Sequence, residues 1–245
     1  HLLGRRQRQM CIRDRLRKMI KKSILILLFA LPFIGLSQNT SEVAIDTLYS
    51  EDQIYFGVTY NTLIDTPEAY TQTNFSPGFK AGFIRDFPIN KKRNIAFGLG
   101  FGYALNTSAQ NLKITPTVNG SFDYEFMSGQ NYQKNRFSYQ AIEIPFEFRW
   151  RTSTAQSNKF WRIYTGFKAS YVFASRTFFK ANNETTIYKD LELNPWQYGL
   201  TLSAGYNNWN AFIYYGLNAI FETASINQNP LEMKSLKVGL MFYIL

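Results

Sequence analysis

The chain has 245 residues, 45% of them hydrophobic and 17% aromatic, with a formal net charge of +10. Positions 1–37 hold nine of the 27 basic residues but only Asp14 of the 17 acidic ones, so residues 38–245 carry 18 basic against 16 acidic side chains. That near-balance gives no reason to expect nucleic acid as a partner. The single cysteine, Cys11, and the single histidine, His1, lie in the same first segment, so the remainder lacks thiol chemistry, Cys/His zinc sites and any imidazole base.

Residues 1–18 show no periodic apolar pattern, and Met10 to Arg15 resembles a translated sequencing adapter; the stretch reads as a non-native leader. From Met19 the pattern is that of a secretory signal over 19–37. Lys21 and Lys22 form the basic region, Ile24 to Ile34 the apolar run, and Gly35-Leu36-Ser37 a small-x-small cleavage site. The run is shorter than the roughly 20 apolar residues a membrane-spanning helix needs, and Pro32 interrupts it. Residues 38–52 are then expected to be a periplasmic tail, followed by one domain over 53–245.

Period-2 alternation dominates that domain. Strands are predicted over 53–61, 77–86, 95–105, 139–151, 160–173, 196–206, 210–218 and 234–245. In the third, Ile95, Phe97, Leu99, Phe101, Tyr103 and Leu105 alternate with glycines and alanines, one face bulky and the other nearly bare. Each segment is roughly 9 to 14 residues long, close to the 9 to 11 that cross a bilayer as a tilted strand and longer than most globular strands. The connections alternate long and short, as in an outer-membrane barrel with both termini periplasmic. The expected fold is therefore an all-β, eight-stranded, antiparallel up-and-down transmembrane barrel. Residues 111–126 read as structured loop, with a ten-stranded barrel as the alternative.

Alternation alone does not say which face is dry, since a soluble barrel points its apolar row inward. Trp150, Trp161, Trp196 and Tyr206 sit on the apolar row near strand ends, where an interfacial aromatic girdle belongs. The opposite row carries charges in mid-strand, which fits a polar lumen and an apolar outside in contact with outer-membrane lipid.

Several stretches resemble the small porin-like, PorT-like outer-membrane β-barrel proteins of Gram-negative bacteria. They are YFGVTYN (55–61), GFIRDFPINKKRNIAFGLGFGY (82–103), AIEIPFEFRWRTST (141–154), FWRIYTGFK (160–168) and the closing KVGLMFYIL. The resemblance implies a barrel of eight strands and a role beside other outer-membrane or secretion-machinery proteins. One departure is the ending Phe242-Tyr243-Ile244-Leu245, where many outer-membrane proteins end on an aromatic residue.

The lumen row is expected to hold a charge network of Lys80, Glu143, Glu147, Arg149, Arg162, Lys168 and Lys237. Pairing through a turn at 152–159 sets Glu143 opposite Lys168 and Glu147 diagonal to Arg162, within salt-bridge reach. Such ions either fill and satisfy a narrow interior or form a selectivity constriction. No catalytic, metal or cofactor site is expected, because without a histidine a Ser or Asp nucleophile has no activating partner. Gly98 to Gly102 superficially matches a phosphate loop but lies within a strand, and Lys91-Lys92-Arg93 reads as a solvated turn. The expected function is a non-enzymatic barrel with a structural, interaction or secretion-accessory role, the alternatives being a narrow solute pore or ligand binding by the loops.

Overall fold

A computed structural model describes residues 52–127, 132–152, 161–182 and 184–244. The leader, the signal segment and the tail up to residue 51 lie outside the described residues.

Among the described residues thirteen strands follow one another: β1 (Gln53–Ile64), β2 (Pro77–Pro88), β3 (Ile95–Ala109), β4 (Leu112–Pro116), β5 (Phe122–Phe126), β6 (Lys134–Arg151), β7 (Trp161–Ala181), β8 (Glu184–Lys189), β9 (Trp196–Tyr206), β10 (Trp209–Ala219), β11 (Ser225–Ile226), β12 (Asn229–Pro230) and β13 (Lys234–Ile244). Eight of them form a ring in the order β1-β2-β3-β6-β7-β9-β10-β13, every neighbour antiparallel, closed by the β13–β1 pairing. Closure leaves the ring without an unpaired edge, the condition for a sheet to sit in hydrocarbon. The segment 111–126 forms β4 and β5, which pair only with each other. The barrel is therefore eight-stranded and not ten.

The apolar rows point outward. Phe56, Phe101, Phe146, Trp161, Leu200, Ile213 and Leu240 are all exposed, whereas the alternate positions are buried. Between the rims Arg85 is the one charged side chain on the outer row of the eight ring strands, and it stands beside Asp52 at 3.8 Å near one strand end. An outer surface this apolar and this free of charge is at equilibrium only against lipid.

Strand ends differ from expectation in one direction. β1, β2 and β3 run two to four residues longer, and β6 and β7 extend to Lys134 and Ala181 instead of stopping at 139 and 173. Periodicity marks only the apolar belt; beyond it, polar residues continue the ladder because the partner strand supplies the hydrogen bonds. The short connections and both ends of the ring lie at one rim, called here the turn end; the long connections share the loop end. Asn207 and Asn208 close the tightest turn, Asn207 with φ +56°, a conformation asparagine tolerates in two-residue hairpins.

At the loop end the connections build a second apolar core. Leu112, Ile114 and Tyr124 of the β4–β5 hairpin pack with Phe137 and Tyr139 of β6, with Leu191 and Leu193, and with Phe221, Leu231 and Met233. The Tyr124 and Phe221 rings meet edge to face at 5.5 Å, and Phe137 lies 5.7 Å from Phe221. Four connections thus converge on a cap. Burial pushes the Tyr124 phenol up, and that of neighbouring Tyr70 to about 12, the direction expected where water is scarce.

Candidate functional site

Two layers of charge occupy the lumen. At the turn end, Arg149 and Arg151 of β6 both donate to the Asp86 carboxylate of β2. Arg149 also donates to Gln53 Oε1 at 2.5 Å and holds its Nε 3.3 Å from Glu147 Oε2. Its guanidinium lies 4.1 Å from the Tyr164 ring centre and 5.6 Å from that of Tyr243. Arg149, Arg151 and Arg162 are fully buried. A guanidinium in this setting needs both carboxylate partners and flat π-faces, since unpaired burial of the ion is very costly.

The central layer gathers three lysines around Glu143, with Glu147 lining the same cavity. Lys168 Nζ donates to Glu143 Oε1 at 2.6 Å, and Lys237 Nζ donates to Asn106 Oδ1 at 2.9 Å. Lys80 Nζ sits 3.7 Å from the Phe212 ring centre. The Tyr214 ring lies 4.5 Å from Lys168 Nζ and 5.0 Å from Lys237 Nζ. The negative faces of the aromatic rings offset part of the repulsion among the three lysines.

The bare row of β3 makes room for these side chains. A Cβ at Gly98 would stand 2.7 Å from Arg149 Cδ, and one at Gly102 would overlap the Tyr55 hydroxyl. These glycines are sites of close side-chain approach within a strand, and no phosphate loop is present. Among these side chains a cavity of about 10 Å³, lined by Tyr55, Lys80, Glu143, Glu147, Lys168 and Met241, has room for about one water.

The β6–β7 register differs from the expected one by two residues. Glu143 stands opposite Ser170, with Lys168 opposite Pro145, so the Glu143–Lys168 bond is diagonal. Glu147 faces Gly166, and Arg162 faces Arg151 instead of lying diagonal to Glu147. The cause is the connection: Thr152 N donates to Trp161 O, two residues beyond the 152–159 turn assumed from sequence. Long Glu and Lys side chains bridge the diagonal as readily as the direct position. Four partners escaped sequence reading: Asp86, Arg151, Gln53 and Asn106. Each has the parity of its strand's lumen row, so extending the alternation to the strand ends would have found them.

The aromatic residues divide between the rims. Trp150, Trp161 and Tyr206 stand at the turn end, with Trp161 and Tyr206 rings 5.4 Å apart. Trp196 stands at the loop end, 5.1 Å from Tyr171. Trp209, assigned to a turn on sequence grounds, begins β10 and packs on Phe242 at 4.2 Å, completing the turn-end rim. Lys91 and Lys92 are exposed in the β2–β3 turn.

No curated protein matches the sequence. Among solved structures, the chain is similar to Ail, the attachment invasion locus protein of Yersinia pestis, at 9% identity and a TM-score of 0.35, covering 80% of this chain and 100% of that one. Ail in complex with the heparin analogue sucrose octasulfate is similar at 10% identity and a TM-score of 0.34, with the same coverage. The family described as outer membrane protein beta-barrel domain matches residues 36–222, a stretch that includes seven of the eight ring strands. With its closed ring, lipid-facing outer rows and polar, side-chain-filled lumen, the chain belongs to the outer membrane protein beta-barrel domain family.

Proposed function

We propose that this outer-membrane barrel is a non-enzymatic docking element, with its termini on the periplasmic side and its cap at the cell surface, serving as an accessory to outer-membrane or secretion machinery. The observation that carries the reading is the filling of the interior. Arg149, Arg151 and Asp86 occupy the turn end, the lysines and Glu143 the centre, and the cap core the loop end. Among the described residues these side chains narrow the interior, which supports recognition by the connections, as is common for loops on a rigid scaffold. The PorT-like stretches support the secretion assignment.

The test is deletion of the gene in its host, with secreted proteins and outer-membrane permeability compared with the parent. Loss of a class of exported proteins, restored by the full gene but not by one lacking residues 111–126, is expected. The excess of lysines in the central layer supports a second reading, an anion-selective pore opened by displacement of the cap. Unchanged secretion together with discrete conductance of the purified protein in planar bilayers would replace the first reading with this one.

A further inference from the structure

Above the barrel, β6, β7 and β8 continue as a three-stranded blade. Opposed residues in a ladder share a face, and the pairs Lys134–Lys180–Thr185, Arg136–Phe178–Ile187 and Ser138–Arg176–Lys189 define one face of it. That face carries five cations and no Asp or Glu; Glu184 pairs with Ala181 and so belongs to the other face. Among the described residues none of the five cations enters an ion pair. In the middle stand Phe178 and the exposed Ile187, with Arg136 5.2 Å from the Phe178 ring centre.

A bulge decides which way this face points. Gln140 pairs with Ala174 and Ala141 with Val172, so Phe173 has no partner on β6. Below the bulge the odd residues of β7 face lipid; above it the even ones point outward, while Phe137 and Tyr139 on β6 turn into the cap core. Without the extra residue, Arg176, Phe178 and Lys180 would turn inward toward that core. The cationic face is therefore a continuation of the lipid-facing surface past the rim marked by Tyr171 and Trp196. Arg176 lies about 10 Å along the strand from Phe173 and Lys180 about 23 Å, at about 3.3 Å per residue.

We infer that the outward face of the blade, centred on Arg136, Arg176 and Lys180, binds the phosphate groups of the glycolipid that forms the outer leaflet. The inference rests on the cap lying at the cell surface. Charge complementarity selects the occupant: a single-sign row of unpaired cations, contiguous with a membrane-embedded surface, meets the headgroup layer before it meets any soluble partner. Phe178 and Ile187 supply apolar contact between the charges.

The full chain in a zwitterionic detergent is titrated with diphosphorylated lipid A and followed by native mass spectrometry. R136Q/R176Q should bind roughly 30-fold more weakly, at roughly fivefold for each cation lost near an anionic surface. K180R/K189R, which keeps the charge, should bind like the parent, and heat-modifiable gel migration reports an intact barrel in every variant. Equal affinity of the parent and R136Q/R176Q overturns the proposal, as does equal affinity for lipid A with its phosphates removed. Displacement by inorganic phosphate at the lipid's own concentration overturns the assignment to a lipid. Orientation is read separately: V118C, at a fully exposed hairpin tip, should react with a membrane-impermeant maleimide on intact cells. Failure to label, with lipid A binding preserved in detergent, overturns the orientation and not the chemistry of the face.

Discussion

Replacing Glu143 by Gln tests whether the lumen is dry. Glu143 is the carboxylate of the central layer; Lys168 donates to it at 2.6 Å, and Lys80 and Lys237 share the same layer on the faces of Phe212 and Tyr214. E143Q keeps the shape and removes the charge, leaving three buried lysines with only Glu147, which lines the same cavity and is shared with Arg149, as a nearby carboxylate. Breaking a buried ion pair from one side costs about 3–5 kcal/mol. With a urea slope of about 2 kcal/mol per molar, the unfolding midpoint should fall by about 1.5–2.5 M. The assay is urea unfolding in lipid vesicles, followed by the fluorescence of Trp150, Trp161, Trp196 and Trp209, all on the outer surface. The double variant E143Q/K168M removes both partners of the bond and should recover at least half of the loss. A midpoint for E143Q within 0.3 M of the parent, an estimate of about 0.6 kcal/mol at that slope, would refute the reasoning and point to a water-filled lumen in which the lysines are solvated.

Two further outcomes separate the cap from the barrel and the outside from the inside. F221A removes the ring between Tyr124 and Phe137 and should cost the cap about 3–5 kcal/mol; limited proteolysis should then cut within residues 111–126 while heat-modifiable migration of the barrel is unchanged. L202R places a charge on the outer row midway between Trp196 and Tyr206 and should destabilise the folded barrel by about 2–4 kcal/mol, whereas W161R at the rim should cost about 0–1 kcal/mol; vesicle unfolding of both checks the depth assignment.

The interaction surface proposed here depends on features that sequence reading treated as loop. A cationic blade is invisible to alternation because its residues lie beyond the apolar belt, and the bulge at Phe173 reverses the parity that alternation would propagate. The acid partner of the turn-end arginines shows the opposite case. Asp86 shares parity with Lys80 and Ile84, so its lumen position was legible; only the ring order, which sets β2 one strand away from β6 across β3, shows that it serves both Arg149 and Arg151.

By itself the sequence determined that the domain is all-β, that its apolar face turns to lipid, and that eight strands carry it, because strand period and belt length are local properties written along the chain. Within the apolar belt a period of two also fixes which residues share a face, although Gln53, Asp86, Asn106 and Arg151 at the strand ends went unread. Tertiary structure alone decided the register of β6 against β7, the diagonal Glu143–Lys168 bond, the assembly of the cap and the projection of the blade. Each of these depends on how many residues a connection consumes and where a bulge absorbs one. Such a choice is settled by packing between distant segments, in which Leu112, Phe137, Phe221 and Met233 must meet before any one of them is buried.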